Sequence, residues 1–145
     1  MDRLAEYFHH HPWLVLATLV VLIAVVVFEM RARSESLAAI SPQDAIRLMN
    51  RGALIIDLRT AEQYAAGHLS GARLMNGEQI LKAADALKKY KEKPLIVYDE
   101  SGSLAASAAR QLKAQGFTQA FNLRGGVAAW RLDNLPLERG SKTSA

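Results

Sequence analysis

Between Trp13 and Phe28 the chain reads WLVLATLVVLIAVVVF, with no charge and a single hydroxyl, Thr18. A surface helix needs a polar face, and this segment has none. At a helical rise of about 1.5 Å per residue, 12–30 nearly crosses a hydrocarbon core of about 30 Å. Arg31 and Arg33 follow at once, placed to reach the headgroups. The run predicts an N-terminal transmembrane helix, with the lipid bilayer contacted through 13–28. Tyr7, Phe8 and Trp13 suit one interface. A cleaved signal peptide is the rival reading. Against it, the run exceeds the usual apolar region of about 7–15 residues, and the arginines resist translocation. Ser36-Leu37-Ala38 is also a weak and distant cleavage site.

The flanking charges set an orientation. Arg3 is offset by Asp2 and Glu6, whereas Arg31, Arg33, Arg47 and Arg51 follow the run. The positive-inside rule then places the C-terminal part in the cytoplasm. His9, His10 and His11 point in different directions on a helix, so they form no closed metal site by themselves. Ala17 and Ala24 make no small-xxx-small motif for self-association.

The 145 residues suffice for one domain plus an anchor. Net charge is +4, with basic residues scattered among acidic ones. Nucleic-acid binding would need a dense basic stripe with interleaved aromatics, which is missing. The chain has no cysteine. Disulfide, thiolate and persulfide chemistry on its own side chains is therefore excluded.

The organisation reads as a short segment 1–11, the anchor 12–30, a polar linker 31–40, a domain 41–137 and a disordered tail 138–145. Ser41-Pro42 is an N-cap followed by proline at N1, and Gly52 closes that helix. Ala53–Leu58 is a short apolar run, as for a strand buried on both faces. Thr60 and Gln63 have capping-box spacing, and Gly67 ends the brief helix. ARLMN reads as a second strand and Ile80–Tyr90 as an amphipathic helix. PLIVY is a third strand, followed by a helix over Leu104–Gln115. QAFNL is a fourth, and Gly125-Gly126 opens a last helix through Trp130. Such alternation predicts an α/β domain, a parallel sheet flanked by helices.

Ligand sites in such sheets lie at the carboxyl ends of the strands. Three segments meet there: Asp57-Leu58-Arg59, the loop Asp99–Ser103, and Arg124-Gly125-Gly126. IIDLRTAEQYAAGHLSGARLMN resembles the first signature of rhodanese-like domains. FNLRGGVAAW resembles their closing signature, and LIVYDESGSLAASAARQL lies where the family carries its active-site loop. The resemblance spans about Ser41–Leu137. With the preceding apolar run it extends to the single-domain, membrane-anchored bacterial members.

The resemblance implies a loop that opens with a cysteine, cradled by backbone N–H groups and a helix N-terminus. Position by position, that cysteine is replaced by Asp99. The next residue, often Arg, is Glu100. Ser101 and Ser103 flank the retained Gly102, and Leu104 stands where many members have Arg. No catalytic residue and no cofactor or metal is assigned. Asp57, Arg59 and Arg124 are binding candidates, with mutual pairing the plainer role for the first two. His68, Glu62, Tyr64 and Trp130 read as structural.

Asp99 is expected to fill the cradle, as a carboxylate near a helix N-terminus accepts N–H bonds. Function then reads as a non-catalytic binding or regulatory module at the membrane, with a membrane or cytoplasmic protein partner. The basic face over Lys82–Lys93 is placed to lie near anionic lipid. One alternative is a thiol-independent enzyme, phosphohydrolase-like, with Asp99 as nucleophile or a metal gathered by Asp57, Asp99 and Glu100 and Arg59 as the cation. Another is an accessory in sulfur transfer that borrows a partner's thiol.

Overall fold

The structure, a computed structural model, describes residues 10–140, and in 34–37 the backbone alone. Tyr7, Phe8, His9 and the tail beyond Gly140 lie outside the described residues. The chain divides into two compact units, Met1–Ser36 and Leu37–Ala145.

In the first unit, helix α1 begins at Pro12 and its backbone continues helical to Ala38. Its stretch Pro12–Arg33 is long and apolar enough to cross a membrane and has no buried side chains. A signal sequence shares this length and composition. Thr18 Oγ1 donates to Leu14 O at 2.8 Å, so the one hydroxyl of the run is satisfied within the helix. A helix in lipid requires this, because no water is there to take the proton.

The second unit is a five-stranded, wholly parallel sheet with helices on both faces. Its strands are β1 (Ala39–Ile40), β2 (Leu54–Asp57), β3 (Arg73–Leu74), β4 (Leu95–Tyr98) and β5 (Ala120–Leu123), in the order β1-β5-β4-β2-β3. The helices are α2 (Pro42–Asn50), α3 (Ala61–Ala66), α4 (Gly77–Leu81), α5 (Ala83–Ala86), α6 (Ser103–Ala114) and α7 (Gly126–Leu132). β2 and β4 pair from Leu54 with Leu95 to Asp57 with Tyr98.

Alternation of side chains along these strands feeds two cores. Leu54, Ile56, Leu95 and Val97 pack with Ile80, Leu112 and Phe117 on one face. Ile55, Ile96, Tyr98 and Leu123 pack with Leu69, Val127 and Trp130 on the other. The uninterrupted apolar runs of β2 and β4 follow from this, since both faces are covered.

The caps read from sequence are present. Ser41 accepts from Asp44 N, and Thr60 and Gln63 form a reciprocal capping box. Three features differ. The segment 31–40 is not a polar linker: it is helical to Ala38, and Ala39–Ile40 pairs with Asn122–Leu123 as an edge strand. The single helix expected over Ile80–Tyr90 is broken into α4, α5 and a 3-10 turn at Lys88–Tyr90. Gln115, at the end of α6, is the physical reason. Its amide donates to Ile80 O and accepts from Ala84 N, taking backbone groups that a continuous helix would use. Finally, residues 138–140 are ordered onto the domain. Glu138 and His68 exchange both backbone hydrogen bonds, and Gly140 N donates to Ala65 O.

Candidate functional site

β2 and β4 end side by side, and their last residues build the floor of the site. Asp57 is fully buried. Its carboxylate accepts from Arg59 N at 2.8 Å, from Arg59 Nη2 at 2.8 Å and from Arg59 Nε at 3.1 and 3.2 Å. Tyr98 Oη donates to Asp57 Oδ2 at 2.6 Å and accepts from Leu69 N at 3.1 Å. Arg59 also donates to Gly67 O and stands 5.6 Å from the centre of the Tyr98 ring. Burial raises the Tyr98 phenol well above its ordinary value, and the adjacent Asp57 charge and bond raise it further. Burial works to lower the Arg59 guanidinium, but the bonds and charge of Asp57 outweigh it and the net shift is upward. Asp57 and Arg59 are therefore a locked, mutually neutralising pair.

Asp99 follows β4 and opens the loop, with only 4% of its surface exposed. Its Oδ1 accepts from Gly102 N at 2.5 Å and its Oδ2 from Leu104 N at 3.0 Å. Both oxygens are thus held by backbone N–H groups at the start of α6, which the helix itself leaves unsatisfied. Gly102 has φ +101°, and a Cβ there would press on Gly125 N at 3.2 Å and Leu123 O at 3.3 Å.

The glycine pair has the complementary role. Val127 N and Ala128 N, at the start of α7, donate to Asp99 O and Glu100 O at 2.9 and 3.1 Å. A Cβ on Gly126 would lie 2.5 Å from both carbonyl oxygens. The loop backbone therefore lies directly on the N-terminus of α7, and only a residue without a side chain permits it.

Glu100 is half-exposed and bridges two arginines. Its Oε1 accepts from Arg131 Nη1 at 2.6 Å. Its Oε2 is 3.6 Å from Arg59 Nη1, close enough for charge but too far for a hydrogen bond. Arg59 Nη1 is buried and has no hydrogen-bond partner. Ser101 and Ser103 are exposed, with their hydroxyls 3.3 Å apart. Leu104 is largely exposed at the rim of a groove of about 300 Å³ lined by Leu58, Ile80, Leu104 and Ala108. Arg124 does not join this cluster. It is exposed, and its guanidinium donates to Ala39 O on the edge strand at 3.0 Å.

His68 donates through Nδ1 to Tyr64 O at 2.8 Å, and its ring stacks on Tyr64 at 3.9 Å between centroids. Tyr64 Oη donates to Ala72 O, and Trp130 Nε1 donates to Pro136 O. Glu62 is exposed. Among the described residues no three His, Asp or Glu side chains are grouped to hold a metal ion.

Arg131 and Tyr98 were not legible as site residues. Arg131 is 31 positions from its partner Glu100. Tyr98 carried one signal, its place as the last strand residue before the loop.

The rhodanese-like domain family model matches residues 41–133. YibN of Escherichia coli is 35% identical over 142 residues, which cover 97% of this chain and 99% of YibN. The thiosulfate sulfurtransferase GlpE of Ectopseudomonas mendocina is 37% identical over 95 residues, covering 63% of this chain and 83% of GlpE. Among solved structures, SseA of Escherichia coli, a 3-mercaptopyruvate sulfotransferase, superposes with TM-score 0.62 at 25% identity, over 73% of this chain and 53% of SseA. The order of the parallel sheet, the loop seated between α6 and α7 and these matches agree: the chain belongs to the rhodanese-like domain family, is related to thiosulfate sulfurtransferases, and contains no cysteine.

Proposed function

We propose that this chain is a membrane-anchored binding module, a rhodanese-like domain whose active-site loop is filled by its own carboxylate. The observation that carries this reading is Asp99, whose two oxygens take the N–H groups of Gly102 and Leu104. In a thiol-bearing relative those donors would serve an anionic sulfur. Here they serve the protein's own carboxyl group, and no thiol exists elsewhere in the chain. The anchor is the run 13–28, single-pass at the inner membrane with the domain in the cytoplasm. That orientation is supported by Arg31, Arg33, Arg47 and Arg51 on the domain side of the run.

The docking surface is the loop mouth. Glu100 is half-exposed between Arg59 and Arg131, and the groove beside Leu104 supplies apolar contact. A protein partner with a basic group flanked by an apolar side chain fits this arrangement. Partners captured from detergent-solubilised membranes by the intact chain test the reading, against the chain lacking 13–28 and against Glu100→Ala. Loss of a reproducible partner with Glu100→Ala supports the loop as the surface. A partner set unaffected by Glu100→Ala but lost without 13–28 would assign recognition to the anchor instead.

A further inference from the structure

The two ends of the parallel sheet differ in charge. The carboxyl ends of the strands carry Asp57, Asp99 and Glu100 against Arg59, Arg124 and Arg131, charges that balance. At the amino ends, β2, β4 and β5 are entered through three adjacent turns, 51–53, 91–94 and 116–119. Leu54 N donates to Pro94 O, Thr118 N to Lys91 O and Leu95 N to Gln119 O, so the three turns form one surface. Every crossover helix that feeds it arrives with its C-terminus, where cations are favoured.

The residues there are Arg51, Lys88, Lys89, Lys91, Lys93 and Lys113, against Glu92. All of these are exposed except Lys91, which is half-buried. Among the described residues none of the six basic side chains is in an ion pair. Two are also held close together: Lys89 Nζ and Lys93 Nζ lie 5.2 and 5.8 Å from the centre of the Tyr90 ring. Lys82 does not belong to this surface, because it pairs with Glu78 at 2.9 Å.

The chain also enters the domain at this end. β1 is parallel to β5, so the backbone reaches Ala39 from the amino-terminal side of the sheet. Only residues 34–38 separate Arg33, the last residue of the candidate span, from β1. Even fully extended, such a segment reaches about 20 Å. If the run spans the membrane, the chain connection therefore keeps the start of β1 near the lipid surface.

We infer that the domain docks on an anionic bilayer surface through the basic end formed by Arg51, Lys88, Lys89, Lys91, Lys93 and Lys113, leaving the Asp99–Leu104 loop facing away from the membrane. This rests on the anchor reading of Proposed function. The ligand chemistry is the phosphate of an acidic phospholipid headgroup. The charges lie on turns and helix ends of separate elements gathered at one end of the sheet.

The absence of native cysteine allows single labels to be placed on the full chain. A fluorophore at Ala114→Cys reports the basic end and one at Ser101→Cys reports the loop; both positions are exposed. The labelled chain is reconstituted in phosphatidylcholine vesicles with or without phosphatidylglycerol, and quenching by a headgroup-attached acceptor is measured. Docking predicts stronger quenching at position 114 than at 101. It also predicts that phosphatidylglycerol increases quenching at 114 and that high salt removes this increase. Each basic residue near such a surface changes the docked-to-undocked ratio roughly fivefold, so Lys88→Gln, Lys89→Gln and Lys93→Gln together lower it on the order of a hundredfold. The salt titration reads the same charges without any substitution. Equal quenching at 114 with and without phosphatidylglycerol, or stronger quenching at 101, overturns the inference and leaves an acidic protein as the occupant of the basic end. Failure of the chain to float with vesicles of either composition overturns the anchor, and the docking with it.

Discussion

Replacing Asp99 with alanine removes the acceptor for Gly102 N and Leu104 N together. Asp99 is buried, so water reaches the two vacated donors poorly. A hydrogen bond to a charged group contributes about 1.5–3 kcal/mol, and a buried donor left without a partner costs about 1–3 kcal/mol. Some relaxation of the loop is expected, so a net loss of about 2–4 kcal/mol is reasonable for the pair of bonds. For a domain near 100 residues that corresponds to a fall in Tm of about 10–25 °C. Asp99→Asn keeps one acceptor oxygen and should lose roughly half as much. The assay is thermal unfolding of the full chain in detergent, followed by the domain's near-ultraviolet circular dichroism, with amide hydrogen exchange resolved at Gly102 and Leu104. Both amides should exchange much faster in Asp99→Ala and only one of them in Asp99→Asn. If Asp99→Ala unfolds at the wild-type temperature with both amides equally protected, the carboxylate does not fill the cradle and the reasoning fails.

Tyr98→Phe should destabilise the domain by about 1.5–3 kcal/mol at neutral pH, because a bond to the buried Asp57 carboxylate is lost, as denaturant titration would show. The pH dependence has a definite sign. The phenol is raised in the folded state above its ordinary value of 10.0, so its contribution is complete below about pH 10 and is lost as pH rises beyond that. The alkaline decline this predicts for the wild type should be flatter in Tyr98→Phe. Arg59→Ala strands the buried Asp57 charge and should cost about 3–5 kcal/mol, whereas Arg131→Ala, which breaks a half-exposed pair with Glu100, should cost under about 1 kcal/mol by the same titration. Gly126→Ala forces a Cβ against two loop carbonyls at φ +61° and should cost on the order of 2 kcal/mol or more, with loss of protection at Val127 N and Ala128 N.

Much of the domain could be read from local chemistry. β2 and β4 announce themselves because both faces are buried, so periodicity collapses into continuous apolar runs. Ser41, Thr60 and Gly102 are legible because caps and positive-φ turns constrain residue type within a few positions. What escaped was set by partners distant in sequence. Gln115 breaks the helix over 80–90 from 31 to 35 positions away. β1 is two residues long and exists only because Asn122 and Leu123 offer an edge. Glu138 looks like tail until His68 pairs with its backbone. Among the site candidates, Asp57 and Arg59 are close enough in sequence for their pairing to be expected. Arg124 carried a different local signal, adjacency to the glycine pair, yet its side chain donates to Ala39 O. Arg131 reaches the loop instead, and only the packing of α7 reveals it.

Asp99 fills the loop with the protein's own carboxylate, and without a cysteine the chain can form no persulfide on its own side chains. Thiosulfate:cyanide sulfurtransferase activity of the purified full chain in detergent measures this directly. Thiocyanate should form at the rate of buffer alone, unchanged by Asp99→Ala. Chain-dependent thiocyanate formation that Asp99→Ala abolishes would contradict it.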